Sequence, residues 1–556
     1  MNFELDNSID WKAAEKLAEE ELEQSKLERK PAGKFAVIDA ETDPFNGEDF
    51  VEPFIWGFYD GEIYKEFSGV YCTENLVEYI KDYKGNIFAH NGGKFDFHFL
   101  IEYLDTKKSL TVINGRIARA KLGKATLRDS YCLLPVPLAQ LEKNTFDYTL
   151  MRKGVRELPE NDKLIREYLE SDCVYLYNHI KEFIDLYGLN LTLAGAALNE
   201  WKNLGGFVPK SNAQYYNKFL PHYYGGRVQP FQAGIFSGDY KVYDIKSAYP
   251  TAMKFKHPIG TDYYETKTIS DTLLPNSFLS VECESFGAFP LRTKAGLSFP
   301  HAKDIFHVTG WEFIKALETG TIKNHRIISG FVFIDLCDFS VYVDHFYSMK
   351  LAAEKAGDKS KRLFSKLFLN SLYGKMAANP ENYEEFYFDD FGSEALEDYF
   401  PCYRYGDYQL FSRPLPDNKH KFLNVATAAS ITGWVRAYLW ESINKCKGVL
   451  YCDTDSIICG DGSALKLGDQ LGEWEIEGEA DKVCIAGKKM YSCFKNGVET
   501  KKVCKGVRLT GKEIERVARG ETVTYKSEAE SFSLKRGKTF IERKVKKTVD
   551  YELCAG

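Results

Sequence analysis

The sequence predicts an α/β protein built from several domains, and three observations carry that reading. The chain has 556 residues and a mass of 63.5 kDa, more than one hydrophobic core organises. Short apolar, strand-like runs alternate with helical stretches along its length. Its balance of 44% hydrophobic to 28% charged residues suits a globular protein with sizeable cores and excludes a mostly disordered or fibrous one.

The elements follow in order. Residues 1–30 read as an acidic amphipathic helix (WKAAEKLAEEELEQSKLERK) broken at Pro31 and Gly33, a solvated N-terminal extension. From Lys34 to about residue 195, short strands (KFAVIDAE, PFIWGFYDGEIYKEF, GNIFAHN) mix with helices. The stretch to about 240 reads as loop-rich and aromatic. A second strand pattern begins at KVYDIKS, and residues 350–379 read as helical up to Pro380. A loop-rich segment to about 420 is followed by a helix (VATAASITGWVRAYLWESINK) and a hairpin (GVLYCDTDSIICG).

Charge and composition exclude several classes. A net charge of −7 and a pI near 5.9 rule out a generic basic nucleic-acid coat, so any DNA-binding surface is local. The last 56 residues are a candidate, with fifteen Lys and Arg against eight Asp and Glu; a solvated tail reads equally well. No run approaches the length of a membrane span, and the acidic N-terminus lacks the apolar core of a secretory signal. Thirteen scattered cysteines with no C-x-x-C argue against a zinc ribbon or thioredoxin-like site and fit reduced thiols in cytoplasm.

Two sets of carboxylates carry chemistry. In AVIDAET, Asp39 and Glu41 stand two apart in a strand pattern and share a face. Paired acids repel unless a cation lies between them, although a lone D-x-E is common on edge strands. FAHNGGKFDFHFL embeds Asn91 and Asp96 among aromatics, where unpaired burial is costly. REYLESDC puts Tyr168 and Asp172 one helical turn apart. Together these supply four acids and a Tyr, the kit for two divalent metals and an oriented water attacking a phosphodiester. In the second half, Asp244 ends a strand ahead of Tyr249-Pro250, and Asp453 and Asp455 sit at the tip of two apolar arms. That arrangement makes a two-metal clamp for phosphoryl transfer; an Asp-rich turn is the plainer reading. Arg362, Lys366, Asn370 and Tyr373 fall on one helical stripe, with cations for a triphosphate and a ring for a base or sugar.

The motifs in this order resemble those of family B DNA polymerases, and in particular the protein-primed replicases of tailless, membrane-containing bacterial viruses. Asp39/Glu41, Asn91/Asp96 and Tyr168/Asp172 resemble the three proofreading exonuclease motifs. DIKSAYP, KLFLNSLYG and YCDTDS resemble polymerase motifs A, B and C. Y-x-G-G at Tyr223–Gly226 resembles the linker that balances synthesis against proofreading, and K-x-Y at Lys489–Tyr491 the primer-terminus motif. The likeness spans about residues 34–548. Departures are small: Ala248 replaces a larger apolar residue, Asn91 and Phe95 are separated by three residues rather than two, and the first 30 residues have no counterpart.

The resemblance implies an RNase H-like 3′-5′ exonuclease domain and a right-hand polymerase of palm, fingers and thumb with two protein-priming insertions. Expected boundaries are 1–30 for the extension, 31–195 exonuclease, 196–254 linker and start of palm, 255–350 palm with the first insertion, 351–380 fingers, 381–422 second insertion, 423–495 palm and 496–556 thumb. The first insertion would dock a terminal protein whose hydroxyl serves as primer; the second would enclose the template. Asp244 and Asp455 would hold two Mg²⁺ (Mn²⁺ as substitute), with Asp453 assisting. Asp39, Glu41, Asp96 and Asp172 would hold two more, with Tyr168 orienting the water. Arg362, Lys366 and Asn370 would bind the nucleotide, Tyr373 would pack on it, and Tyr249 would exclude a 2′-hydroxyl. His90, Asn91, Phe95, Ser130, Tyr131, Tyr223, Gly225, Gly226, Ser247, Gly374, Thr454, Lys489 and Tyr491 would contact DNA, with core packing the alternative reading for His90, Phe95, Ser130 and Tyr131. Template and primer DNA, dNTPs, a terminal protein and a single-stranded DNA-binding protein are the implied partners, in the cytoplasm of a bacterial host, with strand-displacing elongation. Rival readings are an exonuclease with a degenerate second half, a replication scaffold, and a primer-extending or primer-independent polymerase without terminal protein.

Overall fold

The computed structural model describes residues 33–43, 51–108, 110–141, 146–207, 209–294, 296–527, 531–539 and 542–547; the helix expected over residues 1–30 lies outside them.

A ten-stranded sheet carries the first set of carboxylates. From edge to edge it runs Phe400–Tyr405, Tyr408–Pro414, Glu384–Asp390, Leu110–Ile113, Arg116–Leu122, Ala125–Asp129, Asn86–Ala89, Phe35–Thr42, Pro53–Tyr59 and Tyr64–Ser68. Phe35–Thr42 is parallel to Asn86–Ala89, which is parallel to Ala125–Asp129; the other pairings are antiparallel. Strand Phe35–Thr42 is buried on both faces apart from Asp39, because helix Pro159–Tyr187 packs over one face and residues such as Leu76, Ile80 and Phe97 cover the other. Its run of apolar residues, rather than a clean alternation, follows from that double burial.

A seven-stranded sheet carries the second set. Its order is Val498–Cys504, Met490–Lys495, Trp474–Gly487, Gly234–Ile245, Ser456–Asp461, Lys447–Asp453 and Val228–Pro230. The Asp244 strand is therefore flanked by the hairpin that carries Asp455 and by the long strand Trp474–Gly487. Behind it, helix Val425–Lys445 is buried almost all round, as its nearly continuous apolar sequence requires. Between Asp244 and Lys366 lies a four-stranded antiparallel sheet (Tyr263–Thr266, Ile322–Phe333, Ser277–Phe286, His301–Thr309).

Three sequence expectations need correction. Residues 350–379 do not form one helix. Ser340–Ala356 ends at Gly357, which takes φ +71°; Asp358 then caps Lys359–Leu369, accepting the Lys361 N–H; and Leu372–Met376 is a separate short helix. A left-handed glycine followed by an N-cap Asp is a stop followed by a start. The segment read as loop-rich up to 420 contains three antiparallel strands that extend the first sheet through Glu385 and Thr111. Residues 196–240 likewise contain helices Leu193–Asn203 and Ala213–Phe219.

The C-terminal hairpin Ser531–Ser533/Gly537–Thr539 returns to the first sheet. Phe532 packs edge-on against Phe95 and Phe99, and the Tyr405 hydroxyl donates to the Leu534 carbonyl at 2.7 Å.

Candidate active sites

The first site assembles as the strand period demands. Asp39 and Glu41 point to one face of their strand, and helix Pro159–Tyr187 lays Asp172 against them. One ligand atom from each of the three lies within 4.8 Å of the others. All are hard oxygen donors, the set that suits Mg²⁺ or Mn²⁺. Asp96 is not part of this tight group. It opens the short helix Asp96–Phe99 and is buried, and its Oδ1 has no hydrogen-bond partner. Burial first, then the charge of Asp39, pushes its carboxyl well above the usual range. A buried acid with one unpartnered oxygen that faces another acid fits a site made for a cation. Tyr168 stacks on Phe146 at 4.2 Å, and its hydroxyl meets that of Tyr148 at 2.9 Å. Burial, the Tyr148 contact and the nearby Asp172 and Glu41 raise its pKa, keeping the phenol neutral.

Beside it, the Arg116 guanidinium donates to Asn91 Oδ1 at 2.7 Å and Asp129 Oδ2 at 2.6 Å and lies over the Tyr131 ring at 4.5 Å. The extra residue between Asn91 and Phe95 is absorbed by a left-handed Asn91 (φ +63°) and the tight turn Gly92–Lys94. A Cβ on Gly93 would lie 2.2 Å from the Ile117 carbonyl oxygen, so that turn needs glycine. His90 is fixed between Ser130 Oγ (3.0 Å) and the Val136 carbonyl (2.9 Å). Ser130 is fully buried and contacts the His90 ring, as the core-packing alternative for it describes. Phe95 is partly buried against Phe532.

The second site lies at the tip of the Lys447–Asp453/Ser456–Asp461 hairpin. Thr454 takes φ +60°, and its N–H donates to the Arg227 carbonyl at 2.6 Å. Ser456 is paired in register with Asp244, and the Ile245 N–H donates to the Asp455 carbonyl at 2.8 Å, so residues more than 200 positions apart in sequence lie side by side. Burial, then Asp455, pushes the Asp244 carboxyl up to about 7; burial, then Asp453, pushes Asp455 up to about 6. Asp453 is held otherwise: it accepts from Lys489 Nζ and from Thr454 Oγ1 at 3.1 Å. Asp244 and Asp455 are thus the uncompensated pair, the electrostatic mark of a cation site.

On the nucleotide side, Arg362 and Lys366 are exposed one turn apart, and Asn370 ends that helix by donating to the Lys366 carbonyl at 2.9 Å. Tyr373 is not on their stripe. Its separate helix turns the ring onto Tyr249, stacked at 4.3 Å and 10°. Glu354 holds Arg362 at 2.8 Å. Burial and the neighbouring Arg362 and Lys366 lower the Lys350 ammonium, which adds a third cation that the sequence reading missed. Ser247 takes φ +55°, and its carbonyl accepts from Thr251 Oγ1 at 2.9 Å. Nothing lies within 4 Å of a Cβ on Gly374 or Gly225, so packing requires neither glycine. Gly226 differs, since a Cβ there would meet the Thr454 side chain at 2.7 Å. Tyr491 is buried, its ring packed against that of Tyr451 on the hairpin strand.

The linker Tyr223–Gly226 is pinned by residues the sequence reading did not single out. Arg436 donates through Nη1 to the carbonyls of Tyr224 (2.7 Å) and Gly225 (3.0 Å), and through Nε to Glu312 at 2.7 Å. Arg292 donates to the Tyr223 carbonyl and lies over the Tyr224 ring at 4.6 Å. A single Arg inside the apolar run ITGWVRAYLW was the available signal for Arg436; Tyr148, Lys350 and Arg292 carried none.

An RNase H-like sheet with its own carboxylate group, joined to a palm sheet with an Asp pair at a hairpin, defines a nucleotide polymerase with an attached exonuclease fold. Residues 143–399 match the family described as "DNA polymerase type B, organellar and viral". The DNA-directed DNA polymerase of Enterobacteria phage PRD1 is 39% identical over 93% of this chain and 98% of its own length. The DNA polymerase of Bacillus phage phi29 is 23% identical over 72% of this chain and 76% of its own. Its solved structure with primer-template DNA and incoming nucleotide superposes with a TM-score of 0.69, at 18% identity, over 94% of this chain and all of that one; the form with single-stranded DNA gives 0.68, at 17% identity, over 93% of this chain and all of that one. The chain belongs to the type B DNA polymerases, organellar and viral, and is a DNA-directed DNA polymerase of phage type. No helix among the described residues is long and apolar enough to cross a membrane.

Proposed function

We propose that this polymerase begins DNA chains on the hydroxyl of a terminal protein, extends them with strand displacement, and trims mispaired 3′ ends at a second site. The trimming reading rests on one observation: Asp39, Glu41 and Asp172 converge within 4.8 Å on a sheet other than that of Asp244 and Asp455. In the polymerase site, Asp244 and Asp455 would hold divalent metal, which would lower the pKa of the primer 3′-hydroxyl and offset the charge of the leaving pyrophosphate. Lys350, Arg362 and Lys366 orient the triphosphate, and Tyr249 excludes ribose. In the exonuclease site, Asp39, Glu41 and Asp172 would hold metal with Asp96 nearby, and Tyr168, kept neutral, would donate to or orient the attacking water. His90, Asn91 and Tyr131, braced by Arg116, line the approach of the single strand.

Protein priming is supported by the two elaborations that interrupt the palm: the four-stranded sheet between Asp244 and Lys366, and the strands 384–414 that join the exonuclease sheet. In this reading the first would dock the terminal protein and the second would enclose the template, as the resemblance to protein-primed replicases implies. The deciding experiment incubates the enzyme with labelled dNTP, Mg²⁺ and a candidate terminal protein from the same replicon. A labelled, nucleotidylated protein band is expected. Extension of an oligonucleotide primer with no such band would leave a primer-dependent polymerase in its place.

A further inference from the structure

Five charged residues on or next to the strands around Asp244 surround the polymerase carboxylates, and each is ion-paired or lies in a charged group. Lys489 holds Asp453. Lys246 holds Glu475, the cross-strand partner of Asp244, at 3.2 Å, and Asp469 at 2.5 Å. Glu477 completes that group, and the fifth residue, Lys501, reaches it from strand Val498–Cys504 at 2.5 Å. Lys501 lies opposite Cys493, two residues from Tyr491 on the strand that begins beside Lys489.

We propose that Lys501 binds a backbone phosphate of the primer strand near its growing end, and that Glu477 holds the ammonium in position until DNA arrives.

Three considerations favour this. The position is right: the field of Lys501 reaches both Asp244 and Asp455, the groups between which the primer 3′-oxygen must react. The existing partner is replaceable. The Glu477 side chain keeps 47% of its exposure and that of Lys501 25%, so water screens the carboxylate side of the pair and a phosphate can take the place of the carboxylate. The chemistry fits too. A lysine ammonium on a flexible stem grips phosphate as a point charge without reading sequence, which is what a polymerase that must accept any primer needs. The incoming triphosphate already has a separate cation group, Lys350, Arg362 and Lys366, on the helices. That leaves the primer as the anion for Lys501. The inference depends on polymerase activity alone, not on trimming or protein priming.

The test measures equilibrium binding of a primer-template duplex to the full-length enzyme across a salt series without dNTP, together with KM for dNTP. Melting temperatures are compared first. Lys501→Gln is expected to weaken primer-template binding about three- to ten-fold, to lower the slope of log K against log salt by about one, and to leave KM for dNTP within about two-fold. Lys501→Arg should restore the slope. Lys482→Gln, which removes a lysine paired with Glu515 on the same sheet, should change neither quantity. With wild-type enzyme, a neutral methylphosphonate placed singly at the last three primer linkages should weaken binding at one of them, and Lys501→Gln should erase that penalty. An unchanged slope in Lys501→Gln, an equal loss in Lys482→Gln, or a loss confined to KM for dNTP overturns the proposal. Should Lys501→Gln fail to fold, a wild-type enzyme indifferent to all three methylphosphonates overturns it by itself.

Discussion

The rings of Tyr249 and Tyr373 lie stacked at 4.3 Å with 10° between their planes, although one follows the Asp244 strand and the other sits beyond the cationic helix. The stack makes an aromatic wall beside the metal-binding pair, and burial raises both phenols so that each remains a neutral donor. On the reading proposed above, a wall of this kind would discriminate by volume and exclude a sugar with one more hydroxyl. Tyr249→Val opens that volume. Ribonucleotide incorporation, read as the ratio of kcat/KM for rNTP to that for dNTP, should rise on the order of 100-fold. Tyr249→Phe should keep discrimination. Equal ratios for the wild-type and Val enzymes would remove the gate from Tyr249.

The two carboxylate groups occupy different sheets, so their losses should separate. Asp455→Asn should abolish nucleotide addition and leave degradation of a single-stranded primer intact. Asp39→Ala combined with Glu41→Ala should do the reverse, since it removes two of the three ligands grouped within 4.8 Å. Both activities are measured on one labelled primer, with and without dNTP. Parallel loss in either variant would contradict two independent sites.

Asp244 carries a pH signature. Its folded carboxyl is raised to about 7, by burial first and then by Asp455, while unfolded Asp ionises near 4. Between those values the folded form binds the extra proton, so the cost of ionising Asp244 in the metal-free protein is complete above about pH 7 and absent below about pH 4. Metal-free Asp244→Asn should therefore melt above wild type at pH 8, with the gain shrinking as pH falls from 7 towards 4. Mg²⁺ should raise the wild-type melting temperature at pH 8 and leave that of Asp244→Asn much less changed. Metal affinity and nucleotide addition should decline as pH falls from about 7 through 6, where Asp244 and Asp455 take up protons. A metal-free variant no more stable than wild type at pH 8 would place Asp244 in a compensated environment.

The grouping of the carboxylates was legible because backbone geometry translates directly into sequence spacing. A strand alternates, so Asp39 and Glu41 share a face; a helix returns after four residues, so Tyr168 and Asp172 do too. The hairpin was legible from apolar arms around a polar tip. The two breaks within residues 350–379 were not read, yet their signs were present: Gly357-Asp358 as stop and cap ahead of Arg362, and Asn370-Ser371 as the stop between Arg362 and Tyr373. The extension of the first sheet by Glu384–Asp390 was beyond local reading. Its partner, Leu110–Ile113, lies over 270 residues earlier, and no period or turn signal encodes which distant edge a strand will join. Arg116 and Arg436 belong to the same class, because a buried cation advertises itself in sequence while its acceptors do not.

Tyr148 offers a last discrimination, between a hydroxyl that tunes and one that reacts. Its OH meets Tyr168 OH at 2.9 Å, while Phe146 stacks beneath the Tyr168 ring. Tyr168 is buried and adjoins Asp172 and Glu41, whereas Tyr148 keeps 45% of its surface. On the trimming reading proposed above, Tyr168 would touch the attacking water and Tyr148 would orient the Tyr168 hydroxyl. A neutral hydrogen bond contributes about 1 kcal/mol net, roughly a five-fold effect, so Tyr148→Phe should slow primer degradation by about that factor. Tyr168→Phe should slow it further, and the double variant should be no slower than Tyr168→Phe, since the two act through one hydroxyl. Nucleotide addition should be unchanged in all three. Independent, multiplying losses in the double variant would mean that Tyr148 contacts the substrate itself.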